Sequence, residues 1–481
     1  MPRRVVFERR VTLPVSAPTA FAWHERPGAI DRLIPPWEQV SVLERGQGIR
    51  NGSRVVLVNR IGPLRLKWVA EHCDYRRNEQ FRDIQLSGPF RHWDHTHRFL
   101  DRGENQCVME DHIEYVMRGG TAGRWFGGGL VHVKIDSMFQ YRHATTYADL
   151  ELHAKYRDRG RMRVAVTGSH GLVGGAIVPL LTTGGHTVIR LVRGQVGTTS
   201  QSGTEANLGT SQQAVDAGSV VWDPTAPTAD LSALAGVDAV VHLAGENIAN
   251  RRWSTAQKAR IRDSRVQGTR VLAEGLARLQ QPPRVLVVAS AIGIYGERKD
   301  ELLDESSRPG TGFLAEVGEA WEAAAEPARA AGMRVVFVRF GVLLSGRGGA
   351  LAKMAPPFLA GAGGRFGSGR QYMSWLDLDD AAGVLYHALM QDSVVGPVNA
   401  VAPEPVTNAE FTRVLGRVVH RPTLFPVPAL AAKAAFGEMA DAILLSSTRV
   451  IPARLQQTGY PFRHRHLESS LRHQLGYFET P

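Results

Sequence analysis

The chain has 481 residues, 43% hydrophobic and 21% charged, an ordinary globular composition that excludes a wholly disordered chain and gives length for two or three domains at roughly 150 residues each. No apolar run, Val285 to Tyr295 included, reaches the ~18 residues of a membrane span, and Met1-Pro-Arg-Arg leads into a strand pattern, not a secretory core. The net charge of +11 could draw nucleic acid or anionic lipid, but the excess is arginine scattered through the first third. The expectation is therefore a solvated surface, with no nucleic-acid partner and no membrane span. Two cysteines, Cys73 and Cys107, argue against a disulfide scaffold or a cysteine zinc site and fit a reducing cytoplasm.

Up to about residue 158 the pattern alternates, and six strands are predicted: Val5–Leu13, Arg54–Asn59, Leu64–His72, Phe81–Ser87, His92–Phe99 and Gln106–Val116. Ser16-Ala17-Pro18 fits a helix start, with Ser16 as cap and proline in the first turn. Leu130–Tyr156 carries apolar residues at helical spacing and predicts a long closing helix. Strands followed by one helix make an α+β plan. The fifth strand holds His92-Trp93-Asp94-His95-Thr96-His97. There His95 and His97 share one face, and His92 and Asp94 the other. Two ligands per face do not close a zinc site without help from elsewhere, so no metal is expected, and cavity-lining or hydrogen-bonded histidines are.

Residues Tyr156 to Arg161 form a charged linker. From Met162 the texture changes to near-continuous apolar strands (Arg163–Thr167, Thr187–Val192, Ser219–Trp222, Ala239–Leu243, Val285–Ala289 and Val335–Val338) separated by helical stretches. Strands apolar on both faces imply a parallel sheet covered on both sides. The Gly/Ser/Thr/Gln stretch between Gly194 and Gly218 reads as a disordered surface loop.

The first of these strands runs into Gly168-Ser169-His170-Gly171-Leu172-Val173-Gly174. A glycine at each third position, after a strand and before a helix, suits a pyrophosphate. Gly168 permits the tight turn, Gly171 the approach of the ligand, and Gly174 the packing of helix on strand. The helix then offers free N–H groups and the positive end of its dipole. An enzyme preferring NAD usually ends its second strand with an acid that holds the ribose 2′-hydroxyl. Here that strand carries Arg190 and Arg193, which fit a 2′-phosphate. NADP(H) is the expected cofactor, with Arg193 better placed at the carboxyl end.

With His242-Leu243-Ala244-Gly245-Glu246-Asn247, Ser290-Ala-Ile-Gly-Ile-Tyr295-Gly, and the run from Gly363 through Arg370, Trp375 and Asp379 to Pro403, the second half resembles the extended short-chain dehydrogenase/reductases. Within them it is closest in pattern to the NAD-dependent epimerase/dehydratase-like branch and its "epimerase family" proteins. The resemblance implies a doubly wound Rossmann domain over 162–421 and a small C-terminal segment over 422–477. It adds Leu243, Ala244, Gly245 and Glu246 to the cofactor site. Such enzymes work with Ser, Tyr and Lys, the tyrosine exchanging a proton. Here the expected Tyr falls on Phe313 or Leu314 and the expected Lys on Val317 or Gly318. Tyr295 and Lys299 keep the spacing but come too early, so the match reads as coincidence. Ser290 and Tyr295 remain the catalytic candidates by position. Glu316 and Glu319 read as a solvated helix face. Arg262 and Arg370 could hold an anionic substrate or serve the surface equally well.

Residues 1–158, with Phe7-Glu-Arg-Arg-Val-Thr-Leu-Pro-Val-Ser-Ala-Pro18, Phe21 and Trp23, the strand meander and the final helix, resemble the START-like (SRPBCC) superfamily. That implies a helix-grip fold with an apolar cavity for a hydrophobic ligand. The expectation is thus an NADP(H)-dependent oxidoreductase or epimerase acting on a small molecule, fused to a hydrophobic-ligand domain. A homo-oligomer is compatible with it. A non-catalytic NADPH-responsive ligand-binding protein is the alternative, and a lipid-transfer protein with a decayed enzyme tail a third reading.

Overall fold

The computed structural model describes residues 4–118, 120–194, 218–249 and 251–478; the expected loop between Gly194 and Gly218 falls on 195–217, outside the described residues. Alternation in the first domain produces a seven-stranded antiparallel sheet. Its order is Val5–Leu13, Cys107–Met117, Phe90–Asp101, Gln80–Ser87, Leu64–Arg76, Arg54–Ile61 and Val40–Glu44. The first strand crosses to pair with the last, from Val5 opposite Tyr115 to Leu13 opposite Cys107. The helix Gly120–Lys155 packs on this pair. Phe7, Trp93, Ile113 and Tyr115 of the sheet bury against Ile135 and Phe139 of the helix. Each such side chain removed from water contributes about 1.5–3 kcal/mol.

Three expectations need correcting here. The strand Val40–Glu44 was not predicted: it is short, lies at the sheet edge and has no buried residue, so it lacks the apolar signature of an inner strand. The long helix begins ten residues before Leu130. The glycines at 127–129 mask it in sequence, since each carries a propensity cost of about 1 kcal/mol but no steric bar. Ser16 stands at the N-cap of the helix Ala17–Glu25 but makes no capping bond; Asp101 Oδ1 accepts from the Ala17 N–H instead, at 3.2 Å.

The second sheet has seven parallel strands in the order Ser219–Trp222, Thr187–Arg193, Arg163–Thr167, Ala239–His242, Val285–Ala291, Arg334–Phe340 and Gly396–Ala400. In chain order this is 3-2-1-4-5-6-7, a doubly wound sheet whose direction of progression reverses between Arg163–Thr167 and Ala239–His242. Its strands are buried on both faces, Val164, Ala165 and Val166 completely, between two separate helix-lined cores. Helix starts follow their caps. Ser254 Oγ accepts from Gln257 N at 3.2 Å and Thr407 Oγ1 from Glu410 N at 3.2 Å, both at the spacing of a capping box.

Residues 422–477 wrap over the carboxyl end of this sheet and also touch the first domain. Leu302–Leu303 pairs with Arg449–Val450, and His473 stacks on Tyr141 at 4.8 Å. A buried ionic cluster joins all three parts. Arg32 donates to both oxygens of Asp149 at 2.8 Å and to Asp379 at 2.6 Å, while Arg463 donates to Asp149 at 2.7 Å and His473 meets Asp379 at 2.9 Å. Among the described residues no helix is long and apolar enough to cross a membrane.

Candidate functional site

The site lies where the sheet reverses direction, the place at which open α/β sheets bind ligands. Thr167, the last residue of the first parallel strand, organises it. Its Oγ1 accepts from the backbone N–H groups of Leu243 at 3.0 Å and Ala244 at 3.2 Å. Its hydroxyl is then left to donate to His242 Nδ1, 2.8 Å away. One side chain thereby ties the loop after the first strand to the loop after the fourth. Burial pushes His242 down to about 4, so it stays neutral and able to accept.

The glycines behave as a cradle should. Gly168 has φ +64°, and a Cβ there would sit 2.8 Å from the carbonyl carbon of Leu243. At Gly174 a Cβ would sit 2.2 Å from the Gly168 carbonyl oxygen and 2.7 Å from Ser169 Cα. The helix Gly174–Thr183 starts without a capping side chain; its Gly175 and Ala176 N–H groups bond the Gly171 and Val173 carbonyls at 2.7 and 3.1 Å, so what the helix start offers an anion is chiefly the positive end of its dipole. Ser169 is buried and His170 exposed beside it, with Ser169 Oγ 3.4 Å from His170 Nδ1. Leu172 and Val173 pack against the core under the helix.

The structure brings Gly168 to Gly174 together with Leu243 and Ala244. Gly245 and Glu246 follow on, held from the helix Thr255–Ala277: Arg265 Nη1 donates to the Glu246 carbonyl at 2.9 Å and Ser264 Oγ accepts from its N–H at 3.0 Å. Burial lowers Arg265 to about 10, and its guanidinium lies over Trp321 at 4.9 Å. Arg190 and Arg193 sit on the adjacent strand, Arg190 half-buried and Arg193 exposed at the carboxyl end opposite Trp222. Asp223, the next residue after Trp222, has its carboxyl held low chiefly by hydrogen bonds from Thr225, with Arg193 a lesser contributor. This loop, the helix start and Arg193 at the strand end fit a dinucleotide with a phosphorylated ribose, while Arg190, three residues back, falls on the other face of the strand.

Ser290 and Tyr295 fall in a different environment from the one their positions suggested. Ser290 Oγ donates to Glu322 Oε1 at 2.7 Å. Glu322 is gripped by Arg339 through Nε and Nη2, both at 2.8 Å. Arg339 Nη1 donates to the Tyr295 hydroxyl at 2.8 Å, and that hydroxyl donates to Asn399 Oδ1 at 2.8 Å. Tyr295 is 0% exposed, and burial pushes its phenol up. The phenol thus faces protein groups on both sides. Lys299 lies in the following turn at φ +54°, not on a shared helix face. Glu316 and Glu319 are exposed, as are Arg262, paired with its neighbour Asp263 at 3.1 Å, and Arg370.

Sequence reading missed Glu322, Arg339 and Asn399. The available signal was an arginine closing an otherwise apolar strand, since a charge there needs a buried partner. Also missed was a cleft of about 360 Å³ that opens between His170, Gly171 and Leu172 of the loop and Arg32 and Tyr141 of the first domain, with Arg347 and Asp379 on its wall.

The NAD dependent epimerase/dehydratase family model matches residues 164–400, and a domain of unknown function (DUF1731) matches 427–474. The chain is 44% identical over 308 residues to an epimerase family protein of Mycobacterium bovis, a match covering 64% of this chain and 96% of that protein. It is similar along 98% of its length to a crystal structure of the nucleoside-diphosphate sugar epimerase from Corynebacterium glutamicum, with TM-score 0.77, 33% identity and 90% of that chain covered. The crystal structure of human epimerase family protein SDR39U1 with NADPH matches 65% of this chain and 99% of its own, at TM-score 0.56 and 34% identity.

Proposed function

The chain belongs to the NAD-dependent epimerase/dehydratase family, and from that premise we propose that it binds NADP(H) and acts as an oxidoreductase or isomerase on a small molecule. The antiparallel domain, in this reading START-like, holds a hydrophobic ligand beside it. The observation that carries the proposal is the cradle: two glycines where no Cβ fits, an uncapped helix, and arginine where an NAD enzyme would carry an acid. The human relative's structure with NADPH supports the same cofactor. When bound, a nicotinamide supplies hydride transfer.

In this reading residues 168–174 hold the pyrophosphate, Arg193 the 2′-phosphate with Arg190 adding positive charge from the other face of the strand, and Leu243 to Glu246 the far side of the nucleotide. Ser290 and Tyr295 enter through the Glu322–Arg339 network, which fixes the wall at the carboxyl end of the fifth strand. The two cysteines are free thiols, compatible with a reducing cytoplasm. Calorimetry of the wild type and Arg193→Glu with NADPH and NADH tests the proposal. Losing a charge-assisted contact of about 1.5–3 kcal/mol weakens NADPH by at least tenfold and leaves NADH unchanged. An unaltered NADPH affinity refutes the assignment.

The non-catalytic, NADPH-responsive reading draws on two observations: the buried Tyr295 phenol, and the apolar or missing side chains at Phe313, Leu314, Val317 and Gly318. NADPH oxidation or product formation on a substrate panel that includes nucleoside-diphosphate sugars separates the two. Turnover selects the enzyme; tight cofactor binding with no turnover selects the sensor.

A further inference from the structure

The strand Phe90–Asp101 presents His95 and His97 to one face, where they are 2% and 8% exposed. Alone they are too few to hold a metal, but the neighbouring strands supply what the sequence pattern lacked. Asp83 stands opposite His95 in register on one side, and Asp111 opposite His97 on the other. Asp83 Oδ1 is 3.2 Å from His95 Nδ1 and 3.7 Å from His97 Nε2. One ligand atom from each of these three residues lies within 4.8 Å of the others.

These separations can be compared with metal geometry. Ligands about 2.0–2.1 Å from a tetrahedral zinc are separated by roughly 3.4 Å. Cis ligands of an octahedral site at the same bond length would be roughly 2.9 Å apart. The two measured edges sit around the tetrahedral value.

The opposite nitrogens of both rings point to Asp111. Its Oδ1 is 2.9 Å from His95 Nε2 and 2.7 Å from His97 Nδ1, and its Oδ2 meets His143 Nε2 at 2.5 Å. Histidines that ligate a metal characteristically give their other nitrogen to a carboxylate, which sets the ring's tautomer and direction. Of the two rings, His95 is the one hydrogen-bonded to Asp111; His97 Nδ1 lies close to the same oxygen without hydrogen-bond geometry.

Asp83 and Asp111, with side chains 18% and 2% exposed, already face His95, His97 and His143, so a dication bound there would take the place of the imidazole proton between His95 and Asp83. The other grouping of this kind, Asp377 with His464 and His473, is already committed. The Asp377 oxygens take Ser470 Oγ at 2.6 Å, Gln474 Nε2 at 3.0 Å and Asp379 N at 2.8 Å.

We propose that Asp83, His95 and His97 form a zinc-binding site in the antiparallel domain, with Asp111 orienting the His95 imidazole from behind. The fourth position is left to water or to His72, which lies opposite Asp83 in register and has its Nδ1 held by the Ser53 carbonyl at 3.2 Å, leaving Nε2 with its lone pair. Three protein ligands and an open place are the layout of a site that acts on a ligand.

The test uses the tag-free full chain, stripped with a chelator and desalted. Zn²⁺ is titrated by calorimetry and Co²⁺ by visible absorption. One equivalent per chain is expected, with the intense d–d bands of four-coordinate cobalt. Asp83→Asn, nearly isosteric and partly exposed, and His97→Gln each weaken Zn²⁺ by at least 100-fold. Asp111→Asn weakens it 10–100-fold, as removal of a carboxylate behind a ligating histidine does. Circular dichroism and unchanged NADPH affinity establish that the variants are folded. The proposal is overturned if the folded wild type takes up no stoichiometric metal, if Asp83→Asn and His97→Gln retain wild-type affinity, or if cobalt gives the weak bands of an octahedral site.

Discussion

Substituting alanine at Gly171, Gly174 and Gly175 separately distinguishes a phosphate cradle from a merely tight turn, because the three neighbours differ in what a methyl group would meet. At Gly174 the Cβ lies 2.2 Å from a carbonyl oxygen and 2.7 Å from a Cα, both backbone. Relieving that overlap moves the loop by about 1 Å, at the 1–3 kcal/mol typical of overpacking. The same shift disturbs at least one charge-assisted N–H contact worth about 1.5–3 kcal/mol, or on the order of 10- to 150-fold in Kd. At Gly171 the only close atom is the Gly168 carbonyl oxygen at 3.2 Å, so the fold gives by tenths of an ångström and stability falls by less than about 1 kcal/mol. There the methyl instead stands between the backbone and the incoming pyrophosphate. At Gly175 nothing lies within 4 Å, and alanine adds about 0.5–1 kcal/mol of helix stability. The expected pattern is loss of both Tm and NADPH affinity for Gly174→Ala, loss of affinity alone for Gly171→Ala, and neither for Gly175→Ala. Differential scanning fluorimetry and NADPH fluorescence titration read the two quantities. If Gly171→Ala binds NADPH as the wild type does, the loop does not grip a diphosphate and the reasoning fails.

Tyr295→Phe leaves Asn399 Oδ1 and one Arg339 N–H without a buried partner; urea unfolding should show about 1–3 kcal/mol lost, with NADPH affinity preserved, and an undiminished midpoint would contradict the network. His242, held at about 4 by burial against about 6.5 unfolded, takes its proton first in the unfolded chain. Its contribution is complete above pH 6.5 and is lost as pH falls toward 4, reaching about 2 kcal/mol by pH 5. His242→Gln should flatten the fall in urea midpoint between pH 7 and 5, although His153, His186 and His387, also lowered to about 4, keep some of the slope; an equal slope in the variant contradicts the assignment. Arg32→Met leaves Asp379 with His473 alone and Asp149 with Arg463 alone, and removing one partner of such a buried cluster costs about 3–5 kcal/mol. A loss below about 1 kcal/mol in equilibrium unfolding would mean that the cluster is hydrated.

What could be read in the sequence was whatever local chemistry dictates. Val164, Ala165 and Val166 are apolar in succession because both faces of their strand are covered, and that pattern needs no knowledge of the neighbours. Gly168, Gly171 and Gly174 are spaced by one ligand's geometry. The strand Val40–Glu44 carries no such imprint, since an edge strand with no buried side chain imposes little on its residues. The site's polar wiring was least legible. Glu322, Arg339 and Asn399 come from a helix and two strands that only the fold brings together, and nothing in Glu322 sets it apart from Glu316 or Glu319 on the same helix until Arg339 is seen facing it. The histidines of the strand Phe90–Asp101 show the same limit. Their shared face was visible, but Asp83 and Asp111 reach them only through strand pairing.

The ionic cluster around Arg32 bears on why the two halves occur in one chain. A solvated linker between independent domains would need no such contact, and burying four charges between them is costly unless every partner is in place. Here Arg32 from the first domain, Asp149 from the long helix, Asp379 from the Rossmann domain and Arg463 from the C-terminal segment satisfy one another directly. Such a cluster tolerates one relative placement of the domains and penalises others. That placement sets Arg32 and Tyr141 across the cleft from His170 and Leu172 of the phosphate loop. A ligand or metal held by the antiparallel domain and a dinucleotide held by the parallel sheet are therefore fixed in mutual orientation, so binding at one site can alter the other only by straining contacts that the fold has already buried.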